Sequence, residues 1–254
     1  MNNRWNLKDK NALITGGTRG IGAAIAKELI ELGAKVTIVA RNEEDYLKLQ
    51  KNISPKDRIS FIQADISRNN DLDKIFEIIK EQENKLDILV NNAGMNIRKK
   101  TIEYTKDEYE QIMHTNLRSA FELSRKAYPF LKRSNQGNII NISSVAGQTH
   151  LRTGVIYGMT KAAMVQLTKN LAGEWAADGI RVNAVAPWYI KTPLAETVLS
   201  NKDYYQEVIS RTPMQKIGEP KDVAAAVAFL CMPAAAFITG QCISVDGGFM
   251  IYGF

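Results

Sequence analysis

Apolar positions recur along this chain in two rhythms. Short β-rich runs alternate with longer stretches in which apolar residues return every three or four positions. The short runs are Ala12–Thr15, Lys35–Ala40, Ile59–Asp65, Leu86–Asn91, Gly137–Ser143, Arg181–Ala186 and Cys242–Val245. Several are almost continuously apolar, as from Val36 to Ala40 and from Ile88 to Val90. That pattern suits parallel strands buried on both faces. The helical stretches are Gly20–Leu32, Asn70–Glu83, Asp107–Lys132, Val155–Ala177 and Glu219–Cys231. In the first of them, Ile21, Ile25, Leu29 and Leu32 fall on one side. Strands alternating with helices of this length predict an α/β fold of right-handed βαβ units, with a doubly wound parallel seven-stranded sheet and helices on both faces. No repeat, low-complexity segment or linker interrupts the alternation, so residues 1–254 read as a single domain. Only the segment from Trp188 to Gly218 departs from it. It carries Pro193, Pro213 and a short amphipathic piece around Lys202–Ser210, as a substrate loop or lid does.

Composition narrows the function classes. Of 254 residues, 45% are hydrophobic and 24% charged, an ordinary globular balance. The formal net charge is +6, which admits nucleic acid, an acidic membrane surface or an anionic small molecule as partner. Lys and Arg are scattered among Asp and Glu with no block of five like charges, which leaves the phosphate-bearing small molecule and sets nucleic acid aside. Cys231 and Cys242 make no disulfide framework and are expected as buried free thiols. His114 and His150 are too few for a histidine-rich metal site, and no zinc spacing occurs, so no metal is expected. The opening MNNRWNLKDK has no apolar signal core, and no apolar run approaches the roughly 20 residues that span a bilayer. The expected place is the cytosol, away from any membrane.

The first strand runs into Gly16-Gly17-Thr18-Arg19-Gly20-Ile21-Gly22 and then a helix. Glycines here let backbone N–H groups approach a pyrophosphate at the helix N-terminus. A dinucleotide is therefore the predicted cofactor. Its ribose is read near the end of the second strand, where an acidic residue takes a 2′-hydroxyl and a basic one a 2′-phosphate. That strand ends Val39-Ala40-Arg41-Asn42, and Glu43 and Glu44 follow only beyond it. Arg41 and Arg19 together form a phosphate clamp, predicting NADP(H) over NAD(H). Asp65, followed by Ile66, is placed to meet the adenine. Asn92, Ala93 and Gly94, after the fourth strand, leave room for the cofactor and tie strand ends together.

Tyr157 and Lys161, in the stretch YGMTK, share one helical face about one turn apart. With TGGTRGIG, NNAG and a serine thirteen residues before the tyrosine, they make the chain resemble the short-chain dehydrogenase/reductase family. The resemblance runs from Leu13 to Gly248 and implies a Rossmann-type fold. RWNL, LAGEWAADGIRVNAVAPW, IGEP and FLCMPAAAFITGQCISVDGG are similar to the tropinone-reductase-like branch. The family's catalytic tetrad carries over to Asn116, Ser144, Tyr157 and Lys161. Tyr157 would protonate a ketone oxygen as hydride arrives from the nicotinamide. Lys161, together with the nicotinamide's positive charge, would lower the phenol, and Lys161 would hold the nicotinamide ribose; Ser144 would hold the carbonyl oxygen, and Asn116 would support a water path. Moving a phenol from about 10 to about 7 takes roughly 4 kcal/mol. Ser143 competes with Ser144, but alternation along the strand sends the two to opposite sides.

Further expectations follow from the same resemblance. Pro187, Ile190 and Thr192 match contacts to the nicotinamide. The family's usual glycine after Pro187 is replaced by Trp188, expected to narrow or cap the pocket. Asn96, Val145, His150, Leu151, Tyr189 and Leu194 are the other expected pocket walls. No carboxylate stands out among them, which favours a neutral ketone over a cationic one. The helices at Asp107–Lys132 and Val155–Ala177 imply a homodimer, or a homotetramer through the last strand. The apolar tail Phe249–Phe254 is expected on a neighbour or near the pocket mouth. The leading reading is an NADP(H)-dependent carbonyl reductase acting on a small carbonyl or alcohol. Its alternatives are a 3-oxoacyl-carrier-protein reductase, docking through a helix at Ser124–Arg133, and a nucleotide-binding regulator without catalysis.

Overall fold

The computed structural model describes residues 4–252 except Glu83 and Asn135. Seven parallel strands form one sheet in the order β3-β2-β1-β4-β5-β6-β7. They are β1 (Asn11–Thr15), β2 (Lys35–Ala40), β3 (Ile59–Gln63), β4 (Ile88–Asn91), β5 (Gly137–Ile142), β6 (Ile180–Pro187) and β7 (Cys242–Val245). Every residue of β4 and β5 is buried, as continuously apolar strands require. Alternation sorts the side chains into two cores. Ile14, Ile38, Val90 and Ile140 pack on one face with α1 (Gly20–Glu31) and α9 (Pro220–Cys231). Leu13, Val39, Leu89 and Ile139 pack on the other with α3 (Asn69–Gln82), α5 (Ser119–Lys132) and α6 (Val155–Trp175). Glu83, the expected last residue of the α3 stretch, lies outside the described residues.

Strand and helix ends move for identifiable reasons. Strand β3 stops before Asp65 because the Asp65 amide donates to Asp71 Oδ2 at 2.7 Å. Leu86 precedes β4, its amide donating to Phe130 O at 3.3 Å rather than to a strand. The helix expected over Asp107–Lys132 is α4 (Lys106–Met113), a five-residue π-bulge at His114–Arg118, and α5. Such bulges recur at functional sites, and this one contains Asn116. Helix α2 (Glu43–Gln50) has no precedent in the apolar pattern: it buries only Tyr46 and so shows no stripe. It is set by Asn42, whose side chain accepts from Glu44 N at 2.8 Å.

The excursion from Trp188 to Gly218 folds into α7 (Pro193–Leu199) and α8 (Lys202–Ser210) around Tyr189, Ala195 and Val208. Its two stems are joined where Lys191 N donates to Gly218 O and Gly218 N to Tyr189 O, each at 2.9 Å. One expectation about the thiols is corrected. Cys231 is buried, but Cys242 is half-buried, at the start of β7, the edge strand of the sheet. Among the described residues no helix is long and apolar enough to cross a membrane.

Candidate active site

Parallel strands put all their C-terminal ends along one edge, and ligands bind where the order reverses, here between β1 and β4. A cleft of about 800 Å³ opens at that point. The glycine turn forms its floor. Thr15 Oγ1 accepts from Asn92 N and Ala93 N at 3.1 Å, while Asn92 Nδ2 donates to Thr15 O at 2.9 Å and Gly16 O at 3.1 Å. Gly16 has φ +65°, and a Cβ on Gly22 would sit against Gly16 O and 2.5 Å from Asn92 Nδ2. Helix α1 has no side-chain cap at Arg19 and no acidic residue in its first turn. Its leading N–H groups and positive dipole end therefore face the cleft unspent. Thr18, Arg19, Gly20 and Ile21 line that part, and the start of α7 closes over it, with Thr192 Cγ2 3.3 Å from where a Gly20 Cβ would stand. These residues fit a dinucleotide's pyrophosphate.

At one end of the cleft lie Arg41, Asp65 and Ile66, with Asp45 of α2, which the apolar pattern did not point to. Burial pushes the Asp65 carboxyl up. Hydrogen bonds from Ser67 N (3.0 Å) and Ser67 Oγ (2.7 Å), with the charges of Arg41 and Arg68, outweigh that and hold it below its usual range. At the other end stand Ser144, Tyr157 and Lys161, with Pro187 and Ile190 between. Ser143 and Ser144 separate as alternation requires. Ser143 Oγ donates to Lys161 O at 2.9 Å, pinning β5 to α6. Ser144 Oγ accepts from Ala146 N at 3.1 Å and hydrogen-bonds Tyr157. Lys161 is buried beneath the phenol, its Nζ 5.6 Å from the Tyr157 ring centroid and donating to Ile142 O at 2.7 Å. Asn116 uses both ends of its amide on Met95: Nδ2 donates to Met95 O and Oδ1 accepts from Met95 N, each at 2.8 Å.

Burial pushes the Tyr157 phenol above its ordinary 10, and the Ser144 hydrogen bond and the Arg98 charge only partly offset this. Lys161 does not lower it within the chain alone. Its ammonium points at Ile142 O, and burial pulls it down to about 8. A stability prediction follows. Below pH 8 the buried ammonium carries its full desolvation cost. Between about 8 and 10.5 the native lysine is neutral while the unfolded one is still protonated, so stability rises with pH. Relative to Lys161→Met, wild type should gain about 3 kcal/mol across that window, read from denaturant melts. A constant difference would show that Lys161 is not desolvated.

Two expected walls are displaced. Val145 is wholly buried under a short 3-10 turn at Val145–Gly147, out of the cleft. His150 is exposed and lines a separate cavity of about 490 Å³ with Arg211 and Phe249. Asn96, Leu151, Trp188, Tyr189 and Leu194 do line the cleft. Trp188 forms the partition between the two cavities. Its ring stacks on Phe249 at 3.8 Å between centroids, and its Nε1–H donates to Thr212 Oγ1 at 3.1 Å. Its φ is not positive, so the indole introduces no backbone strain where the family has glycine. The apolar tail thus packs on Trp188 through Phe249, on the side of the second cavity, while Gly253 and Phe254 lie outside the described residues. Met95, Arg98, Thr115 and Thr153 also line the cleft. They sit in loops and a bulge without periodicity, and nothing local marks them.

Comparison with known proteins agrees with this geometry. A family model described as enoyl-(acyl carrier protein) reductase matches residues 16–250. A tropinone reductase homolog of Arabidopsis thaliana is 52% identical over 253 residues, covering 99% of this chain and 96% of that protein. A second, chloroplastic homolog from the same plant is 49% identical over 256 residues, covering 99% and 79%. Among solved structures, a gluconate 5-dehydrogenase from Burkholderia cenocepacia in complex with NADP and tartrate is 31% identical, with TM-score 0.92 and 98% of each chain covered. A short-chain type dehydrogenase/reductase from Mycobacterium ulcerans is 28% identical, with TM-score 0.92, covering 97% of this chain and 92% of that one. The chain belongs to the short-chain dehydrogenase/reductase family, in its tropinone-reductase-like branch.

Proposed function

We propose that the protein interconverts a ketone and a secondary alcohol with NADP(H). The observation that carries this is the meeting of Ser144, Tyr157 and Lys161 at one end of a cleft whose floor is the glycine turn. When bound, the nicotinamide supplies or takes up the hydride. Tyr157 holds the proton destined for the carbonyl oxygen, and its raised phenol keeps that proton at neutral pH. Ser144 orients the same oxygen. Lys161, under the ring, is placed to stabilise the phenolate that remains. Asn116, Gly94 and Met95 hold the loop beside them, with Asn116 in the role of a positioning group for a water path. Pro187, Ile190 and Thr192 would hold the nicotinamide and Lys161 its ribose, while Asn92 and Ala93 leave room beside it and tie the strand ends. The segment at 188–218 would act as the substrate loop. The test follows NADPH absorbance with tropinone, other cyclic and aryl ketones, 1,2-diketones, 3-oxocyclohexanecarboxylate and a 3-oxoacyl thioester; no consumption of any of them in the presence of bound NADPH would sink it.

The preference for NADP(H) rests on Arg19 and Arg41, both exposed at the cleft wall, and on the absence of a carboxylate at the end of β2. NADP in the Burkholderia relative is consistent with it. We expect NADPH to bind at least tenfold tighter than NADH, and Arg41→Ala to remove most of that difference, about 1.4 kcal/mol or more. Equal Kd values in wild type would overturn the preference.

The carrier-protein alternative is disfavoured by charge pairing. Along Ser124–Arg133, Arg125 pairs with Glu122, Lys126 with Asp73 and Lys132 with Asp178. Little unpaired positive charge remains there for an acidic carrier. The regulator reading is disfavoured by the assembled hydroxyls and lysine. We also expect a homodimer or homotetramer in the cytosol. Exposed Phe121 and Tyr109 on α5 and α4 are apolar surface for such a contact, and light scattering at 28.3 kDa, the mass of one chain, would exclude it.

A further inference from the structure

At the substrate end of the cleft, charge is unbalanced. The carboxylates lining the cleft are Asp45 and Asp65, both at the Arg41 end. Near Tyr157 the lining cation besides Lys161 is Arg98. Lys161 is engaged by Ile142 O, and the nearby Arg152 is paired with Glu207. Arg98 makes no ion pair or hydrogen bond among the described residues, and its Nε is buried without a partner. Its charge reaches both the Tyr157 and Tyr189 hydroxyls.

The loop that carries this guanidinium is also held in place. The backbone before it is tied on three sides: Met95 by Asn116, Asn96 Nδ2 to Thr153 O at 2.8 Å, and Ile97 O by the Tyr104 hydroxyl at 2.5 Å. A mobile surface arginine would keep its donors in water. One on a pinned loop with a desolvated Nε carries an unmet hydrogen bond, costly until an acceptor arrives. The planar fork of donors matches a carboxylate, and a charged acceptor gains most from it.

We propose that Arg98 binds a carboxylate on the substrate, so that the ketone reduced here is an oxo acid. This rests on the reduction reading above. It replaces the neutral ketone expected from the sequence, which took account of missing carboxylates but not of an unpaired cation. The carboxylate is a handle and does not react. The ketone carbon gains a hydride, its oxygen gains the Tyr157 proton, and the cofactor is oxidised by the same two electrons. Asn96 Oδ1, also buried without a partner, is an acceptor that would take a hydroxyl of the same substrate.

The test compares 3-oxocyclohexanecarboxylate with its methyl ester in wild type, Arg98→Met and Arg98→Lys. In wild type, kcat/KM should favour the acid by about 10- to 100-fold, mostly through KM. In Arg98→Met the ratio should fall to near one, and Arg98→Lys should restore part of it. Using the ratio cancels any change that the variant makes at Tyr157. A wild type that prefers the ester, or an Arg98→Met that slows both substrates alike, would overturn the assignment. Binding supplies an arm independent of turnover. With NADP+ present, cyclohexanecarboxylate should bind wild type more tightly than cyclohexanecarboxamide in calorimetry, and Arg98→Met should lose that difference. Equal affinities in wild type refute the Arg98 role even if no ketone is reduced. Reduction of neutral ketones alone would leave the reduction reading standing and this one refuted.

Discussion

Tyr157→Phe should lower kcat for ketone reduction by about 10²- to 10⁴-fold, the span of a positioned general acid. The substitution keeps the ring, and with it the contact over Lys161 at 5.6 Å, but removes the phenol proton at the cleft. Because burial sets the phenol above 10, the donor stays protonated through the neutral range. The wild-type reduction rate should therefore hold flat across neutral pH and decline only at alkaline pH, where the phenol is lost. NADPH absorbance at saturating ketone reads both effects. A variant within tenfold of wild type would mean that the proton comes from elsewhere.

Gly147→Ala should damage the enzyme from a position that touches neither substrate nor cofactor. A Cβ there would lie 2.5 Å from Lys161 C, 2.7 Å from Ala162 N and 2.8 Å from Lys161 O. All three are backbone atoms of α6, so no side chain can swing aside. The 3-10 turn that follows Ser144 must move away from the helix that carries Tyr157 and Lys161. Overpacking of this kind costs about 1–3 kcal/mol, and a displacement near 1 Å between reacting groups costs about 100-fold in rate. We expect a lower Tm together with a kcat loss of that order. A variant that keeps both would show that the turn and the helix are not in rigid contact.

How much of this was legible in the chain differs from element to element. The seven strands and the principal helices were readable because each is a local repeat of apolar positions, and the sheet simply buries what the repeat offers. Helix α2 escaped because its single buried residue, Tyr46, makes no stripe. The π-bulge at His114–Arg118 escaped because an extra residue in a turn leaves the apolar spacing nearly unchanged. In the site, the glycine turn and Tyr157-Lys161 were visible because their chemistry depends on short spacing along one segment. The two-residue period of a strand put Ser143 and Ser144 on opposite sides, and the thirteen-residue offset to Tyr157 chose Ser144. Val145 and His150 were misplaced as walls because neighbours on a loop share no direction. The burial that raises Tyr157 and lowers Lys161 was not legible, because burial is not a property of spacing.

By itself, then, the sequence determined the alternating α/β architecture, the glycine turn and the pairing of Tyr157 with Lys161 on one helical face, since each is encoded in contacts a few residues long. Only the tertiary structure decided which groups lack partners. Whether Arg98 faces a carboxylate or none, whether Trp188 stands free or closes against Phe249, and which thiol stays half-buried all depend on what the folded chain brings from far away. Charge balance and desolvation are sums over everything nearby in space, and no single stretch of residues contains them.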